Sequence, residues 1–299
     1  MKNQTKAYLF ALAAVLLWST VASAFKIALR FVDVLSLLFF SSLVATIFMA
    51  IMMTNSRKWS LLNQSTPNTF VQAAIRGFLN PFFYYLILFK AYDMLPAQEA
   101  MSLNYIWPIM LVLLSVVFMK QKIGLISIVG MMVSFVGVIT IATHGQIDSL
   151  KFENPEGAAL ALFSSIVWAL FWLVNLKNKE DETLKLFLSF AFGTLFSFVA
   201  VLLFGQWPEW HLKAGLSLIY IGLAEMGITF FLWSQALKLS RRTDQVSSLI
   251  FLSPFLSLFI IAIVLGEKIG FYTLIGLVLI IAGILFGKTK NRSTESISG

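Results

Sequence analysis

The sequence predicts an all-α integral membrane protein with ten transmembrane helices arranged as two inverted five-helix repeats. Three observations carry this reading. Hydrophobic residues fill 59% of the 299 positions and charged ones only 12%, with a mean hydropathy of +0.87. Water-soluble domains are about half apolar and about a quarter charged. The apolar residues fall into ten runs, each near the roughly 20 residues that a helix needs to cross a bilayer. Landmarks in the first five runs recur in the last five.

In order, the runs cover residues 7–29, 33–54, 70–92, 97–118, 123–143, 156–176, 184–204, 213–237, 244–265 and 270–287. Backbone polar groups in lipid must be satisfied internally, so these runs are helices rather than strands. The first run has Lys2 and Lys6 ahead of it and Ala22-Ser23-Ala24 near its end, features shared with signal peptides. Its continuation through Phe25, Ile27 and Leu29, and its likeness to the sixth run, mark it as a retained helix. The longer connections, near 56–68 and 144–155, hold Asn, Pro, Ser and charge. Pro108 and Pro254 fall inside helices four and nine, and Pro108 cannot donate to the carbonyl of Asn104. A hinge is expected at each. Gly130 and Gly137 on helix five, and Gly276, Gly283 and Gly287 on helix ten, let backbones approach closely. The polar tail 288–299 is expected to be disordered.

Of the 22 Lys and Arg residues, sixteen fall on the side of the N-terminus and six on the other. The positive-inside bias then places both termini in the cytoplasm of a cell with an inner (plasma) membrane. The net charge of +8 comes from short turns between apolar runs rather than from one soluble face, which argues against a nucleic-acid partner. The absence of cysteine excludes disulfides, Cys-ligated zinc and thiol catalysis, and two histidines are too few for a His-rich metal site. No Walker A, Gly-x-Ser-x-Gly or His-Glu-x-x-His element is present, so neither ATP-driven transport within this chain nor a hydrolase is indicated. No cofactor is called for, and no filter-like string argues for a channel.

The repeat is explicit. Ala11, Leu12 and Trp18 match Ala161, Leu162 and Trp168 at an offset of 150 residues. Pro108, Gln121-Lys122, Gly130 and Gly137 match Pro254, Glu267-Lys268, Gly276 and Gly283 at an offset of 146. The units span 1–145 and 146–287. Each holds five helices, an odd number, so the second lies upside down relative to the first. Inverted repeats are built for alternating access, with the solute held near mid-membrane where they meet.

The candidate solute-binding residues follow from depth and chemistry. Glu225 lies in the middle of helix eight, where a carboxylate costs about 2.5–3.5 kcal/mol on insertion scales and marks a functional site by default. It can hold a substrate ammonium or a coupling proton. The repeat sets Asn80 opposite it, at an offset of 145. Asn104, Tyr105 and Trp107 precede the proline break in helix four, and Ser247 and Ser248 are expected on the same side as Pro254. Trp18, Trp168, Trp172 and Trp233 are candidate cavity walls, whereas Trp59, Trp207 and Trp210 suit an interfacial belt. Glu99 and Asp93, with Lys90 near, read as surface ion pairing, and Glu267-Lys268 as a turn belonging to the fold.

Leu17-Trp18-Ser19-Thr20 in helix one, and a proline followed by a Gly-rich last helix in each half, resemble the EamA family of the drug/metabolite transporter superfamily. Asn104-Tyr105-Ile106-Trp107-Pro108 followed by Gln121-Lys122, with Trp168 and Trp233, resembles its bacterial aromatic amino acid exporters. The resemblance implies an inner-membrane exporter of amino acids or related metabolites with a central cavity between the repeats. Glu225 departs from the neutral residue expected there, and an exporter of cationic drugs or organic amines is the alternative. The expected partners are a small-molecule substrate and the lipid bilayer, with transport driven either by a proton or by the solute's own gradient, and the chain a monomer or homodimer.

Overall fold

The computed structural model describes residues 2–120, 124–146, 154–177, 180–205, 207, 211–240, 246 and 249–288. Gln121-Lys122, Trp210, Ser247, Ser248 and the tail from residue 289 lie outside the described residues. Every described element is helical. The order is α1 Lys2–Ala28, α2 Val34–Asn55, a short α3 Ser60–Asn63, α4 Pro67–Gly77, α5 Tyr84–Met94, α6 Ala97–Asn104, α7 Trp107–Met119 and α8 Leu125–Ala142. There follow α9 Pro155–Lys177, α10 Glu182–Phe204, α11 Leu212–Ile221, α12 Ile228–Leu239, α13 Ser253–Leu265 and α14 Phe271–Lys288. A kinked turn, Phe78–Phe83, joins α4 to α5, and a wide π-helical turn, Gly222–Gly227, joins α11 to α12.

Among the described residues, seven helical segments are long and apolar enough to cross a membrane, and Leu249–Leu265 and Phe271–Phe286 are shorter apolar helices. The remaining expected segment, 70–92, is interrupted. Asn80 takes the extended values φ −151° and ψ 122°, and Pro81 follows it inside the turn. A proline lacks the donor that would continue the ladder.

Local chemistry sets the boundaries. Asp33 caps α2 by accepting from the backbone N–H of Leu35 and Ser36, at 2.9 and 3.2 Å. Thr66 and Thr69 form a reciprocal capping box ahead of Pro67 on α4. Helices four and nine break where the prolines stand. Tyr105 and Ile106 separate α6 from α7, with Pro108 in the first turn of α7. A 3₁₀ turn, Leu249–Leu252, precedes α13, with Pro254 in its first turn.

Two central helix pairs run antiparallel. Along α8 from Gly130 to Gly137, the partner on α14 recedes from Gly283 to Gly276. A methyl built on Gly137 would lie 2.5 Å from the Gly276 carbonyl oxygen, and one built on Gly276 would lie 2.7 Å from that of Gly137. Such proximity is open only to glycine. Ser134 donates to the Ile280 carbonyl between them, at 2.9 Å. The other pair is α2 with α10, where Phe39 meets Phe198 at 5.4 Å and the Thr46 and Thr194 hydroxyls meet at 2.8 Å.

Ion pairs brace the end where α2 finishes and α10 begins. Lys58 Nζ lies 2.7 Å from Asp181 and Arg76 Nη2 lies 3.2 Å from Glu180. Asp181 also caps α10 through the N–H groups of Thr183 and Leu184. Burial pushes the Asp181 carboxyl up, but Lys58 and those two N–H groups outweigh it and hold it below its ordinary value. A depressed folded value means that the clamp's contribution is whole above the unfolded value of about 4 and is lost as pH falls through the folded one. Wild-type melting in detergent should therefore drop more steeply below that pH than melting of Asp181→Asn. The difference should stay within about 1 kcal/mol for so exposed a pair, and parallel acid curves would deny the clamp any stabilising role.

The opposite end is tied by a denser polar set. Glu267 accepts from the backbone N–H of Ala97 and Gln98, at 3.0 and 3.4 Å, so the turn after α13 caps α6. Gln98 donates to the Lys268 carbonyl and accepts from the Gly270 N–H, both at 3.0 Å. Lys26 donates to the carbonyls of Tyr92 and Leu95 at 2.7 and 3.0 Å. Lys90 and Asp93 pair at the surface as expected. Glu99 does not. It is buried, 2.9 Å from His144 Nε2, and accepts from the Tyr272 hydroxyl at 3.3 Å. The α6–α8–α14 junction folds over it, which adjacency in sequence to Asp93 does not show.

Candidate functional site

A cavity lies between helices from both halves of the chain. Its wall takes Trp18 and Phe25 from α1, Tyr84, Leu88 and Tyr92 from α5, and Asn104, Tyr105 and Trp107 from the α6–α7 break. The second half adds Trp168 and Trp172 from α9, Glu225 from the wide turn, Trp233 from α12, and Ile250, Ser253 and Ser257 around Pro254.

Glu225 is the sole charged side chain on this wall among the described residues. The wide turn positions it. Gly222 lets α11 and the turn close on α2, for a methyl there would sit 2.6 Å from the Ser41 carbonyl oxygen. The extra residue in a π turn rotates the following side chains, and such turns recur at functional sites. Tyr85 donates to Glu225 Oε1 at 2.8 Å, while Oε2 has no protein partner among the described residues. Two other buried polar atoms on the wall lack one as well, Trp172 Nε1 and Ser257 Oγ. A buried donor or acceptor left unsatisfied costs about 1–3 kcal/mol, so these three atoms are where a polar solute would gain most.

Asn104 ends α6, and its amide is committed. It accepts from the Tyr84 hydroxyl at 3.3 Å and donates to Ser164 Oγ at 2.8 Å. The chain Tyr84–Asn104–Ser164 ties α5, α6 and α9 together behind the wall. Aromatic rings complete the enclosure. Trp18 meets Trp233 at 5.4 Å and Phe230 at 6.3 Å, and Trp168 meets Tyr84 at 4.6 Å.

Of the sequence-derived candidates, the structure gathers Glu225, Asn104, Tyr105, Trp107, Trp18, Trp168, Trp172 and Trp233 on one wall, with Pro108 and Pro254 at the helix breaks beside it. Asn80 is not on this wall. It is buried at the α4–α5 break, with its Oδ1 unpartnered among the described residues, and Pro81 beside it packs on Gly193 of α10. Tyr84, Tyr85 and Tyr92 went unread in the sequence, although Tyr84, Leu88 and Tyr92 recur every four residues on one helical face. Trp59 and Trp207 are exposed, as an interfacial belt requires.

Several known proteins are similar to this chain. The uncharacterized transporter YxxF of Bacillus subtilis is 22% identical over 264 residues, 88% of this chain and 83% of its own length. The aromatic amino acid exporter YddG of Ancylobacter novellus is 22% identical over 243 residues, 79% of this chain and 81% of its own. A solved crystal structure, 21% identical, superposes with a TM-score of 0.67 over 97% of this chain and 99% of its own, which establishes likeness of fold. The EamA-like transporter family matches residues 5–143 and again 155–287. An all-helical, multi-pass membrane architecture and a family match over nearly all of the sequence lead to one statement: the chain belongs to the EamA-like transporter family.

Proposed function

We propose that the chain is a secondary exporter of amino acids, aromatic ones foremost, or of related small metabolites, working by alternating access in the cell inner membrane with both termini cytoplasmic. Two inverted repeats, 1–145 and 146–287, form the cavity between them. The observation that carries the reading is Glu225 Oε2, unpaired on an aromatic wall built from both halves. It supplies a partner for a substrate ammonium, the indole and phenol rings receive an apolar side chain, and Ser257 and Trp172 offer polar atoms beside them.

Symmetry supports the inverted arrangement. Thr46 touches Thr194 and Ser134 touches Ile280 across offsets of 148 and 146 residues. A residue meets its own counterpart where a two-fold axis passes. Both pairs join antiparallel helices, as an axis in the membrane plane demands. The family match in two blocks agrees.

The second reading, export of cationic amines or drugs, is favoured by one fact: no Lys, Arg or His lines this wall among the described residues. A carboxylate ringed by aromatics attracts cations, at about 0.5–2 kcal/mol per ring contact. Counterflow in proteoliposomes separates the readings. Labelled phenylalanine should exchange faster than phenethylamine, and an imposed pH gradient should drive net accumulation if Glu225 carries the coupling proton. Faster exchange of the amine would transfer the assignment to the second reading.

A further inference from the structure

A second concavity opens beside the first at the end where α9 and α12 finish and α10 begins. Trp18, Trp172 and Trp233 line both. They form the partition between them. The chemistry on the two sides differs. Among the described residues the central wall has a carboxyl and no cation, whereas the vestibule carries Lys185, Glu182 and Lys238, with Asn175 and Ser234 among aromatic rings.

Lys185 is the unusual residue. It sits one turn inside α10, only 5% exposed, and its Nζ lies 2.6 Å from Glu182 Oε2. Lysine is almost never buried so far unless paired. Arg76 and Lys58, the other paired cations near this end, hold helices together by bridging separate segments. The Lys185–Glu182 pair instead joins two residues of one helical turn, so among the described residues it ties no second element, and both residues line the vestibule. Side by side, a cation and an anion complement a zwitterion: the carboxylate goes to Lys185 Nζ and the ammonium to Glu182.

We propose that this vestibule is a separate loading site for zwitterionic amino acids, in which Lys185 recognises the α-carboxylate before the solute passes the Trp18–Trp172–Trp233 partition to Glu225. The proposal rests on the amino acid reading above. It adds what the central wall lacks, a cationic partner for the carboxyl end, and it makes selection against simple amines a property of the vestibule rather than of the cavity.

The test uses the full chain in membrane vesicles of both orientations, with labelled phenylalanine and phenylalaninamide, which lacks the carboxylate. Losing a charge-assisted contact should raise the half-saturating phenylalanine concentration of Lys185→Gln about tenfold from the vestibule face. The half-saturating value from the opposite face and amide transport from either face should stay as in wild type, with the maximal rate from the vestibule face rising in proportion so that the transport cycle still balances. The charge exchange Glu182→Lys with Lys185→Glu, which keeps the pair on the same turn, should restore part of the phenylalanine affinity and guards against a folding artefact. Phenylalanine transport by Lys185→Gln with unchanged half-saturation, or an equal loss from both faces or for both solutes, overturns the loading site while leaving the exporter assignment intact. Failure of wild type to carry phenylalanine from either face overturns the exporter assignment and the loading site with it.

Discussion

Glu225→Gln is expected to abolish proton-driven transport and to weaken solute binding in the cavity roughly ten- to hundredfold, the size of a lost charge-assisted hydrogen bond. The substitution changes little else. Glutamine has nearly the same volume, and its amide oxygen still accepts from the Tyr85 hydroxyl that now reaches Oε1 at 2.8 Å. What disappears is the negative charge and the exchangeable proton on an atom that no protein group satisfies. The variant should therefore express and melt like wild type yet fail to accumulate phenylalanine under a pH gradient. Tyr85→Phe gives the complementary result. It keeps the carboxylate and removes its one donor, so affinity should shift several-fold while the response to the gradient persists. Proteoliposome uptake at several pH values reads both variants. If Glu225→Gln transports as wild type does at every pH, Glu225 has no part in the mechanism.

The path from sequence to this site was uneven, and the unevenness has a physical pattern. Helix existence was legible because composition and run length alone decide what lipid can dissolve, and the expected runs match the helices to within a few residues at most ends. The breaks beside Pro108 and Pro254 were legible because a missing N–H has a fixed consequence for the carbonyl four residues back. The wide turn at Gly222–Gly227 was not, since a π turn needs one extra residue and no particular side chain. Asn80 shows the limit of repeat matching. Pro81, directly after it, was the visible sign that the helix there breaks and seats a ring on Gly193 instead of presenting the amide to solute. Glu99 shows the limit of local reading, because its partners, His144 in the turn after α8 and Tyr272 on α14, lie far along the chain.

Gly283→Val should be the most damaging single change to the fold. A methyl built at Gly283 collides with the Gly130 carbonyl oxygen and with Ser134 Oγ, and the first of these is backbone that no rotamer change can move aside. The α8–α14 axes would have to separate, breaking the Ser134 bond to Ile280 and opening the Gly137–Gly276 contact seven residues away. Overpacking of this kind costs about 1–3 kcal/mol and occasionally more. Gly137→Ala, at the counterpart position, should lose stability for the same reason, its methyl meeting the Gly276 carbonyl oxygen at 2.5 Å. Gly215→Ala is the control. Its methyl meets nothing within 4 Å, and a glycine inside a helix is worse than alanine by about 0.5–1 kcal/mol, so that variant should melt at or above the wild-type temperature. Thermal melting in detergent ranks the three. In the two-repeat reading proposed above the consequence reaches function, because α8 and α14 would be matching helices of the two halves and a rocking motion of those halves would turn about their contact. Gly137→Ala protein that remains folded should therefore exchange solute more slowly even though it is remote from Glu225. Should Gly283→Val melt and transport like wild type, the two helices cannot lie as close as their glycines allow, and the two-fold arrangement of the halves loses its strongest support.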